Sequence, residues 1–282
     1  MSSTQTLQVP GYQVIQFLGT GARSTIWQVR SRQTDEVFAL KRVVKRNSSE
    51  MRFLEQAINE FEIGSRLKHE TLRRIYDLHR VKRWMSLREV RVVMEFCEGK
   101  SVQQNRPTSI REAVRIFAQV ASALAYMNER GFVHADTKPN NIIVSPDGTV
   151  KLIDLGQSCP LGTVKSRIQG TPDFIAPEQV RRGPVDARTD VYNFGASLYW
   201  TAIGRPIPTV LPKEGSLTMN DGQRVVPPAQ LNPEIPKPLD KLITDCIQLS
   251  PAQRPASMNE VTSRLNLILR QLVRQEEESA AS

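Results

Sequence analysis

The stretch that decides the fold reads His134-Ala-Asp-Thr-Lys-Pro-Asn-Asn141, and Lys151-Leu-Ile-Asp-Leu-Gly156 follows shortly after it. Short apolar runs lie beside both segments, and Pro146-Asp147-Gly148 between them is a turn signal. The pattern therefore predicts a loop, a hairpin and a second loop. Loops that are held by a rigid hairpin are where proteins usually present reactive side chains.

Four side chains in these two loops carry chemistry, namely Asp136, Lys138, Asn141 and Asp154. Phosphoryl transfer requires little covalent chemistry from a protein, but it needs an acid that orients the acceptor hydroxyl. It also needs oxygen ligands that hold magnesium against the phosphates. Asp136 suits the first requirement, and Asn141 with Asp154 suits the second.

A glycine-containing turn lies near the N-terminus, between two strand-like runs, at Leu18-Gly-Thr-Gly-Ala-Arg-Ser-Thr-Ile26. Backbone amides in such a turn can approach phosphate closely, although the same pattern is common in ordinary hairpins. The next run, from Val37, ends at Lys41, and a lysine at the end of an apolar strand requires an anionic partner. ATP phosphate or a carboxylate meets that requirement.

Residues 52–68 have the periodicity of a helix. One stripe of this helix, with alternating spacings of four and three residues, contains Phe53, Ala57, Glu60, Gly64 and Leu67. Glu60 is therefore predicted to point inward, whereas Glu62 lies almost opposite on the helical wheel. Of these two acids, only Glu60 is placed to pair with Lys41.

From about Gly11 to Leu272 the chain resembles the eukaryotic-type serine/threonine protein kinase family, whose motifs it matches in order. The matching segments are Gly19 to Ile26, Ala39 to Lys41, Glu60, His134 to Asn141, Asp154 to Gly156 and Ala176 to Glu178. The resemblance implies an α+β, two-lobed protein kinase fold. Its N-terminal lobe has an antiparallel sheet plus one helix, and its C-terminal lobe is mainly helical.

The resemblance also implies the activity and the roles of individual residues. The activity is Mg²⁺-dependent transfer of the ATP γ-phosphoryl group to protein serine or threonine hydroxyls, the protein's own included, and Mn²⁺ can replace Mg²⁺. Lys41 holds the α and β phosphates and is fixed by Glu60. Asp136 is the catalytic acid, Lys138 neutralises charge on the transferred group, and the metal ligands are Asn141 and Asp154. The other nucleotide-binding residues are Leu18, Gly19, Thr20, Gly21, Ile26, Ala39 and Ile143, with Met94 behind the pocket and Glu95 to Cys97 as the hinge.

Further C-terminal, the segment Gly170 to Glu178 resembles the serine/threonine rather than the tyrosine branch of the family. Thr171 is then expected near Asp136 and Lys138. Glu178 is expected to form a structural ion pair with Arg254, and the loss of either partner would leave a buried charge unpaired.

Four positions depart from the family pattern. Ser24 replaces a glycine and Leu155 a phenylalanine, with little expected effect on activity, whereas the other two matter more. Ala135 stands where most regulated members have an arginine that binds a phosphorylated activation loop. We therefore expect that activity does not require phosphorylation of Ser158, Thr163 or Ser166 through that contact. Gly64 replaces a large apolar residue, and we expect it to weaken the helix by up to about 1 kcal/mol relative to alanine.

The length of 282 residues and the hydrophobic content of 39% suit one catalytic domain with two lobes. We expect a disordered tail over residues 1–10, an N-terminal lobe over 11–97, a C-terminal lobe over 98–272 and a second disordered tail over 273–282. The proline-rich stretch from Arg205 to Pro238 predicts a long loop.

Composition also limits location and metal content. No run approaches the roughly 18 apolar residues of a membrane span, and residues 1–8 contain no signal-peptide core. Cys97, Cys159 and Cys246 have neither a metal-ligand nor a paired spacing, which is typical of a reducing compartment. We therefore expect a cytoplasmic protein. His134 is interpreted as a packing residue of the loop rather than as a base.

The net charge of +9 includes a dense basic cluster between Arg66 and Arg91. Strand-like alternation within the cluster predicts a solvated outer face of the N-terminal lobe. An acidic protein that docks on this face is favoured over nucleic acid as a partner.

Two alternative functions stay open. A pseudokinase would bind nucleotide or act as a scaffold without catalysis, but Lys41, Asp136 and Asp154 are all retained. A small-molecule kinase of the aminoglycoside phosphotransferase type has a similar acid loop, and the segment Gly170 to Glu178 argues against it because that element shapes a groove for peptide.

Overall fold

The structure is a computed structural model, and it describes residues 7–21, 23–211 and 225–280. Contacts within the chain define two compact units. The first contains residues up to Lys68 together with Arg73–Cys97, and the second contains His69–Leu72 and the chain from Glu98 onward.

A five-stranded antiparallel sheet forms the first unit, with the strand order β1-β2-β3-β5-β4. Its strands are β1 (Tyr12–Thr20), β2 (Ser24–Ser31), β3 (Val37–Val44), β4 (Ile75–Arg83) and β5 (Ser86–Glu95). Val29, Leu40 and Val93, from the three central strands, are completely buried and belong to one apolar cluster. The alternation of side chains along a strand brings such residues to one face of the sheet.

The N-terminal residues contribute to this cluster. Leu7 and Val9 are buried in it, and Val9 forms a bridge with Tyr12. Within the tail that the sequence predicts to be disordered, Leu7 and Val9 therefore pack against the sheet. Residues 1–6 lie outside the described part of the chain.

Helix α1 (Met51–Gly64) completes the first unit and is four residues shorter at its C-terminal end than the spacing predicted. Its buried face contains Leu54, Ala57, Glu60 and Ile63. Gly64 is the last residue of the helix, so the weakening expected from it stays a prediction and is smaller than at an interior position. A glycine weakens a helix most where residues on both sides are helical.

Helices dominate the second unit. They are α2 (Ile110–Glu129), α3 (Pro177–Val180), α4 (Ala187–Ile203), α5 (Pro228–Leu231), α6 (Lys237–Cys246) and α7 (Met258–Ala280). At the start of α2, the Ser109 side chain accepts a hydrogen bond from the backbone N–H of Glu112, as is typical of a helix N-cap. Helix α4 is capped by the Asp186 side chain and ends at Gly204 with φ of 83°, a conformation that favours glycine.

Short strands complete the second unit. They are β6 (Lys100–Ser101), β7 (Phe132–Val133), β8 (Ile142–Val144), β9 (Val150–Leu152) and β10 (Cys159–Pro160). Strands β8 and β9 form an antiparallel hairpin that turns through Pro146-Asp147-Gly148. The predicted order of loop, hairpin and loop is therefore confirmed, and so is the α+β kinase-like architecture of a sheet with one helix followed by a mainly helical part.

The C-terminal end differs from the sequence-based prediction. Residues 273–280 continue α7, where a disordered tail was expected. Arg274 pairs with Glu278 one turn later at 2.9 Å, and Arg111 of α2 forms an ion pair with Glu276. These charged pairs favour the helical conformation of a polar segment that lacks an apolar face.

The predicted loop from Arg205 to Pro238 includes α5 and the first residues of α6, and residues 212–224 lie outside the described part. Among the described residues, no helix is both long and apolar enough to cross a membrane.

Candidate active site

The first unit brings Lys41 and Glu60 together. Lys41 lies on β3 and Glu60 on α1, and the Lys41 Nζ atom donates a hydrogen bond to Glu60 Oε2 at 2.6 Å. This is the carboxylate that the helical spacing selected, whereas Glu62 is exposed. An ammonium group so close to a carboxylate is fixed in position and charged, which are the properties that a phosphate-binding lysine requires.

The glycine-containing turn joins β1 to β2. The Gly21 N–H donates to the Ser24 carbonyl at 2.8 Å, and a Cβ atom added at Gly21 would lie 2.7 Å from the Ser24 hydroxyl. A side chain therefore has no room at Gly21 unless Ser24 moves. Leu18, Gly19 and Thr20 belong to β1 and Ile26 to β2, while Ala22 lies outside the described residues.

Some of the apolar residues that the resemblance implies around the adenine of ATP lie close to one another and to the predicted hinge. Ala39 of β3 and Met94 of β5 are buried register partners, and Arg73 donates to the Met94 sulfur at 3.0 Å. Glu95 ends β5 with its N–H on the Arg74 carbonyl, and the Cys97 thiol lies 3.7 Å from the Glu95 carbonyl. Ile143, the remaining predicted wall residue, is half-buried on β8 of the second unit.

In the second unit, Asp136, Lys138 and Thr171 form a closed triangle of hydrogen bonds. The Lys138 ammonium donates to Asp136 Oδ2 at 2.8 Å and to the Thr171 hydroxyl at 2.7 Å. The Thr171 hydroxyl donates to Asp136 Oδ1 at 2.9 Å. Each oxygen of the Asp136 carboxylate thus has a donor, and the three side chains are positioned as one group.

Burial is the main cause of the shifted pKa values of Asp136 and of the neighbouring His134. Burial raises the pKa of Asp136, and the adjacent Lys138 charge opposes that rise. The imidazole of His134 is completely buried, and burial lowers its pKa below the ordinary value. Its Nδ1 atom accepts the Asp136 N–H at 3.3 Å, which requires that nitrogen to be unprotonated. His134 therefore supports the loop as a neutral residue, as the sequence suggested.

Asn141 and Asp154 are the candidate metal ligands. The Asn141 side-chain amide donates to the Asp136 carbonyl at 3.0 Å, so its nitrogen is occupied and its oxygen is the atom that can bind a cation. Asp154 has φ of 66°, and its carboxylate accepts the Gly156 N–H at 3.4 Å. One amide oxygen and one carboxylate are hard donors that fit Mg²⁺, which usually takes one or two protein ligands alongside phosphates and water. No cluster of three or more His, Cys, Asp or Glu ligands exists among the described residues.

Asp190 fixes the backbone of the loop over residues 134–141, and the sequence reasoning did not assign it a role. Its carboxylate accepts the backbone N–H groups of His134 at 3.0 Å and Ala135 at 2.9 Å, and the Asn128 amide at 2.9 Å. Burial raises the pKa of Asp190, and these donors oppose that rise. Ala135 has φ of 61°, an uncommon conformation for a residue with a side chain, and the two backbone contacts stabilise it. An acid inside an apolar helix was the signal that could have identified Asp190.

The segment between Asp154 and Glu178 contacts this loop through Thr171, whose partners are charged, and through neutral contacts around Ala135. Ala135 packs with Val133, Cys159 and Val185 in a buried apolar cluster. The Gln179 amide donates to the Ala135 carbonyl at 2.8 Å and to the Gln169 carbonyl at 3.2 Å. Apolar side chains therefore surround Ala135, the position at which most regulated family members have an arginine.

Glu178 and Arg254 form the expected buried ion pair. The Arg254 guanidinium donates to both Glu178 oxygens, at 2.8 and 3.0 Å. It also donates to the carbonyls of Gln248, Arg188 and Leu249. The Thr189 hydroxyl donates to Glu178 at 2.8 Å. A guanidinium with this many acceptors is fully satisfied despite its burial.

Comparison with known proteins agrees with this geometry. The protein kinase domain family model matches residues 12–265. Serine/threonine-protein kinase PrkC of Bacillus subtilis is 27% identical over 86% of this chain, and serine/threonine-protein kinase pkn3 of Myxococcus xanthus is 28% identical over 91% of it. An Aurora kinase of Eremothecium gossypii is 32% identical over 73% of the chain. The chain spans 38%, 50% and 56% of the lengths of these three relatives, in that order. Because the family model covers most of its length and the motifs occur in order, this chain belongs to the protein kinase domain family.

Proposed function

We propose that this chain transfers the γ-phosphoryl group of ATP to serine and threonine hydroxyls of proteins. The observation that carries the proposal is the hydrogen-bonded triangle of Asp136, Lys138 and Thr171. Relatives that are named serine/threonine-protein kinases support the choice of acceptor. No observation favours the pseudokinase alternative, because Lys41, Asp136 and Asp154 are all present.

In the proposed reaction, Asp136 accepts a hydrogen bond from the acceptor hydroxyl and orients its oxygen toward the phosphorus. Thr171 and Lys138 keep the carboxylate in that orientation, and the Lys138 ammonium stabilises negative charge on the transferred group. Lys41, held by Glu60, binds the phosphates of ATP. We also propose that the chain forms one kinase domain, with an N-terminal lobe over residues 11–97 and a C-terminal lobe over residues 98–272.

Asn141 and Asp154 would hold Mg²⁺, or Mn²⁺ in its place. A cation held there would neutralise negative charge on the phosphates of ATP. The Asn141 side-chain amide donates a hydrogen bond to the Asp136 carbonyl, which links the candidate ligand to the backbone of the acid. Three free cysteines support a reducing location, and we infer the cytoplasm.

The test is transfer of labelled phosphate from ATP to a generic protein acceptor, with identification of the phosphorylated residue types. We expect phosphoserine and phosphothreonine with Mg²⁺ or Mn²⁺, and none after chelation. Asp136→Asn should lower the rate on the order of 10²–10⁴-fold, because a positioned acid contributes about that much. Measurable autophosphorylation would be recorded in the same experiment from label on the chain itself.

Nucleotide binding without transfer by the unmutated chain would contradict the proposal and favour a pseudokinase. Transfer to a small aminoglycoside but not to protein would contradict the acceptor class. The fold of Asp136→Asn is checked by its thermal unfolding. This check is needed because the substitution also removes the charge that pairs with Lys138, so that a loss of rate counts as catalytic only if the variant stays folded.

A further inference from the structure

The turn between β4 and β5 exposes two large apolar side chains. Trp84 is 92% exposed and Met85 is 96% exposed, and they are the two residues between the last paired positions, Arg83 and Ser86. Single exposed apolar residues are common on protein surfaces and need no explanation. Two adjacent ones at the most protruding position of a hairpin, including a tryptophan, are unusual.

The backbone at this turn is also unfavourable. Trp84 has φ of 56°, in the left-handed region that two-residue hairpin turns usually fill with asparagine, aspartate or glycine. A bulky aromatic residue there is a conformational outlier. Because Trp84 is almost fully exposed, packing within the chain does not compensate for the strain. An outlier of this kind points to a role outside the folded chain.

The charges around the turn have one sign. Residues 79–88 include Arg80, Lys82, Arg83 and Arg88 and no acidic residue. Among the described residues, none of Lys82, Arg83 and Arg88 forms an ion pair. The pairing of β4 with β5 shifts register between Val81 and Lys82, which places Arg88 at an irregular position of the edge hairpin.

A further lysine extends this basic group. Lys45, immediately after β3, donates its backbone N–H to the Arg88 carbonyl at 2.8 Å. Its ammonium lies 3.4 Å from the Ser86 hydroxyl, at the base of the turn. Glu89, the nearest acid along the chain, is buried and bonded to Arg42 and Arg91. We name Lys45, Lys82, Arg83, Trp84, Met85 and Arg88 the hairpin tip.

We propose that the hairpin tip binds the surface of an anionic lipid bilayer. Tryptophan is enriched at membrane interfaces, where its ring lies at the level of the headgroups. Lysine and arginine side chains beside it can extend to lipid phosphates while their methylene stems cover apolar surface. The sequence alone favoured an acidic protein on this face. Two apolar side chains on a protruding turn fit a bilayer interface better, because shallow insertion needs no shaped pocket in the partner.

The test uses the full chain and vesicles of phosphatidylcholine with and without phosphatidylserine, at an ionic strength on the order of 0.15 M. We expect cosedimentation with the anionic vesicles only, weakening as salt is raised. Substitution of Trp84→Ser together with Met85→Ser removes both apolar side chains and should weaken vesicle binding at least about tenfold, which corresponds to about 1.4 kcal/mol. Lys82→Glu together with Arg83→Glu should do the same.

A charge-matched control keeps the test specific. Arg270→Glu with Arg274→Glu makes the same change of charge on exposed positions of α7 and should leave vesicle binding within about twofold. Brominated acyl chains should quench the fluorescence of the unmutated chain. The quenching should disappear in the Trp84→Ser variant, which retains Trp27 and Trp200. All variants are compared by thermal unfolding, so that loss of fold is not mistaken for loss of binding.

Three outcomes would overturn the proposal. Equal binding to neutral vesicles would remove the role of the cations. Undiminished binding by the Trp84→Ser, Met85→Ser variant would remove the role of the apolar side chains. Binding of soluble polyglutamate at the hairpin tip, with no vesicle binding, would identify an acidic protein as the partner instead. None of these results depends on phosphoryl transfer.

Discussion

Lys41 in the first unit forms an ion pair with Glu60. The loop over residues 134–141 of the second unit is held by a network of hydrogen bonds to its backbone. Asp190, Gln179, Asn141 and His134 all bond to its backbone. The helices differ in the same way. No side chain caps the N-terminus of α1, whereas the side chains of Ser109 and Asp186 cap the N-termini of α2 and α4. At the C-terminus of α1, the backbone of Ser65 keeps the right-handed helical conformation.

This comparison indicates that folding fixes the conformation of the loop in the second unit more firmly than the position of Lys41. A loop whose backbone groups have buried partners cannot change conformation without leaving some of them unsatisfied. A lysine that is paired with a residue of a helix can be moved by a small movement of that helix. We therefore expect the loss of a buried structural contact in the second unit, such as the ion pair of Glu178 with Arg254, to affect stability first, and substitution of Lys41 to affect activity first.

The largest expected effect on stability comes from the buried pair in the second unit. Arg254→Met should lower the free energy of unfolding by about 3–5 kcal/mol, because Glu178 is left charged and buried without its partner. The Arg254 side chain is 0% exposed. Denaturant unfolding measures the change, and Arg270→Met, at an exposed position of α7, should stay within about 0.5 kcal/mol of the unmutated chain. A similar loss in both variants would show that the pair has no special weight.

Lys41→Met should do the reverse. We expect the transfer rate to fall on the order of 10²–10³-fold, as when a single charge-stabilising donor is removed from an active site. Stability should fall less than in Arg254→Met, since the Lys41 side chain is 17% exposed and is therefore less desolvated. Lys45→Met, just beyond the same strand, serves as the control in an assay with a soluble acceptor. If Lys41→Met unfolded the protein as readily as Arg254→Met, the contrast between the units would be wrong.

A smaller effect should appear in the pH dependence of stability. Burial raises the pKa of Glu178, but hydrogen bonds and charge from Arg254 more than offset this, so its pKa lies below the ordinary 4.5. The stabilisation is then fully present above pH 4.5 and is lost as pH falls through the folded-state pKa. The difference in unfolding free energy between the unmutated chain and Glu178→Gln should therefore shrink below pH 4.5. A constant difference would contradict the lowered pKa.

Much of this contrast could be read from the sequence, and what could not has physical reasons. Local spacing selected Glu60 over Glu62, and the turn at Pro146-Asp147-Gly148 predicted the hairpin. Asp190 was missed because its donors lie far along the chain, and periodicity describes only one element at a time. The end of α1 was placed too late because Gly64 fits the helical stripe equally well as an interior or a terminal residue.

The contrast also predicts a difference in local opening. Amide hydrogens of α1 should exchange faster than those of α2 and α4, because no side chain caps the N-terminus of α1. Addition of MgATP should slow exchange in α1 more than in α4, if nucleotide on Lys41 restrains the helix through Glu60. Mass-spectrometric hydrogen exchange resolves the two helices. Slow exchange in α1 that nucleotide leaves unchanged would mean that this helix is already fixed.

The smallest expected effect concerns phosphorylation. Ser158 is buried and its hydroxyl lies 3.4 Å from the His134 carbonyl, so it is a poor acceptor, whereas Ser166 is exposed and Thr163 half-buried. Ala135 lies in an apolar cluster, and Gln179 links its carbonyl to that of Gln169 without any charge. Replacing Thr163 and Ser166 together by alanine should therefore change the transfer rate by less than about twofold, or about 0.4 kcal/mol. A large loss would mean that a phosphate there finds another cation, and the neutral contacts would then not suffice to hold the segment. Because these contacts form on folding, the second unit is expected to reach its active arrangement without a modification step.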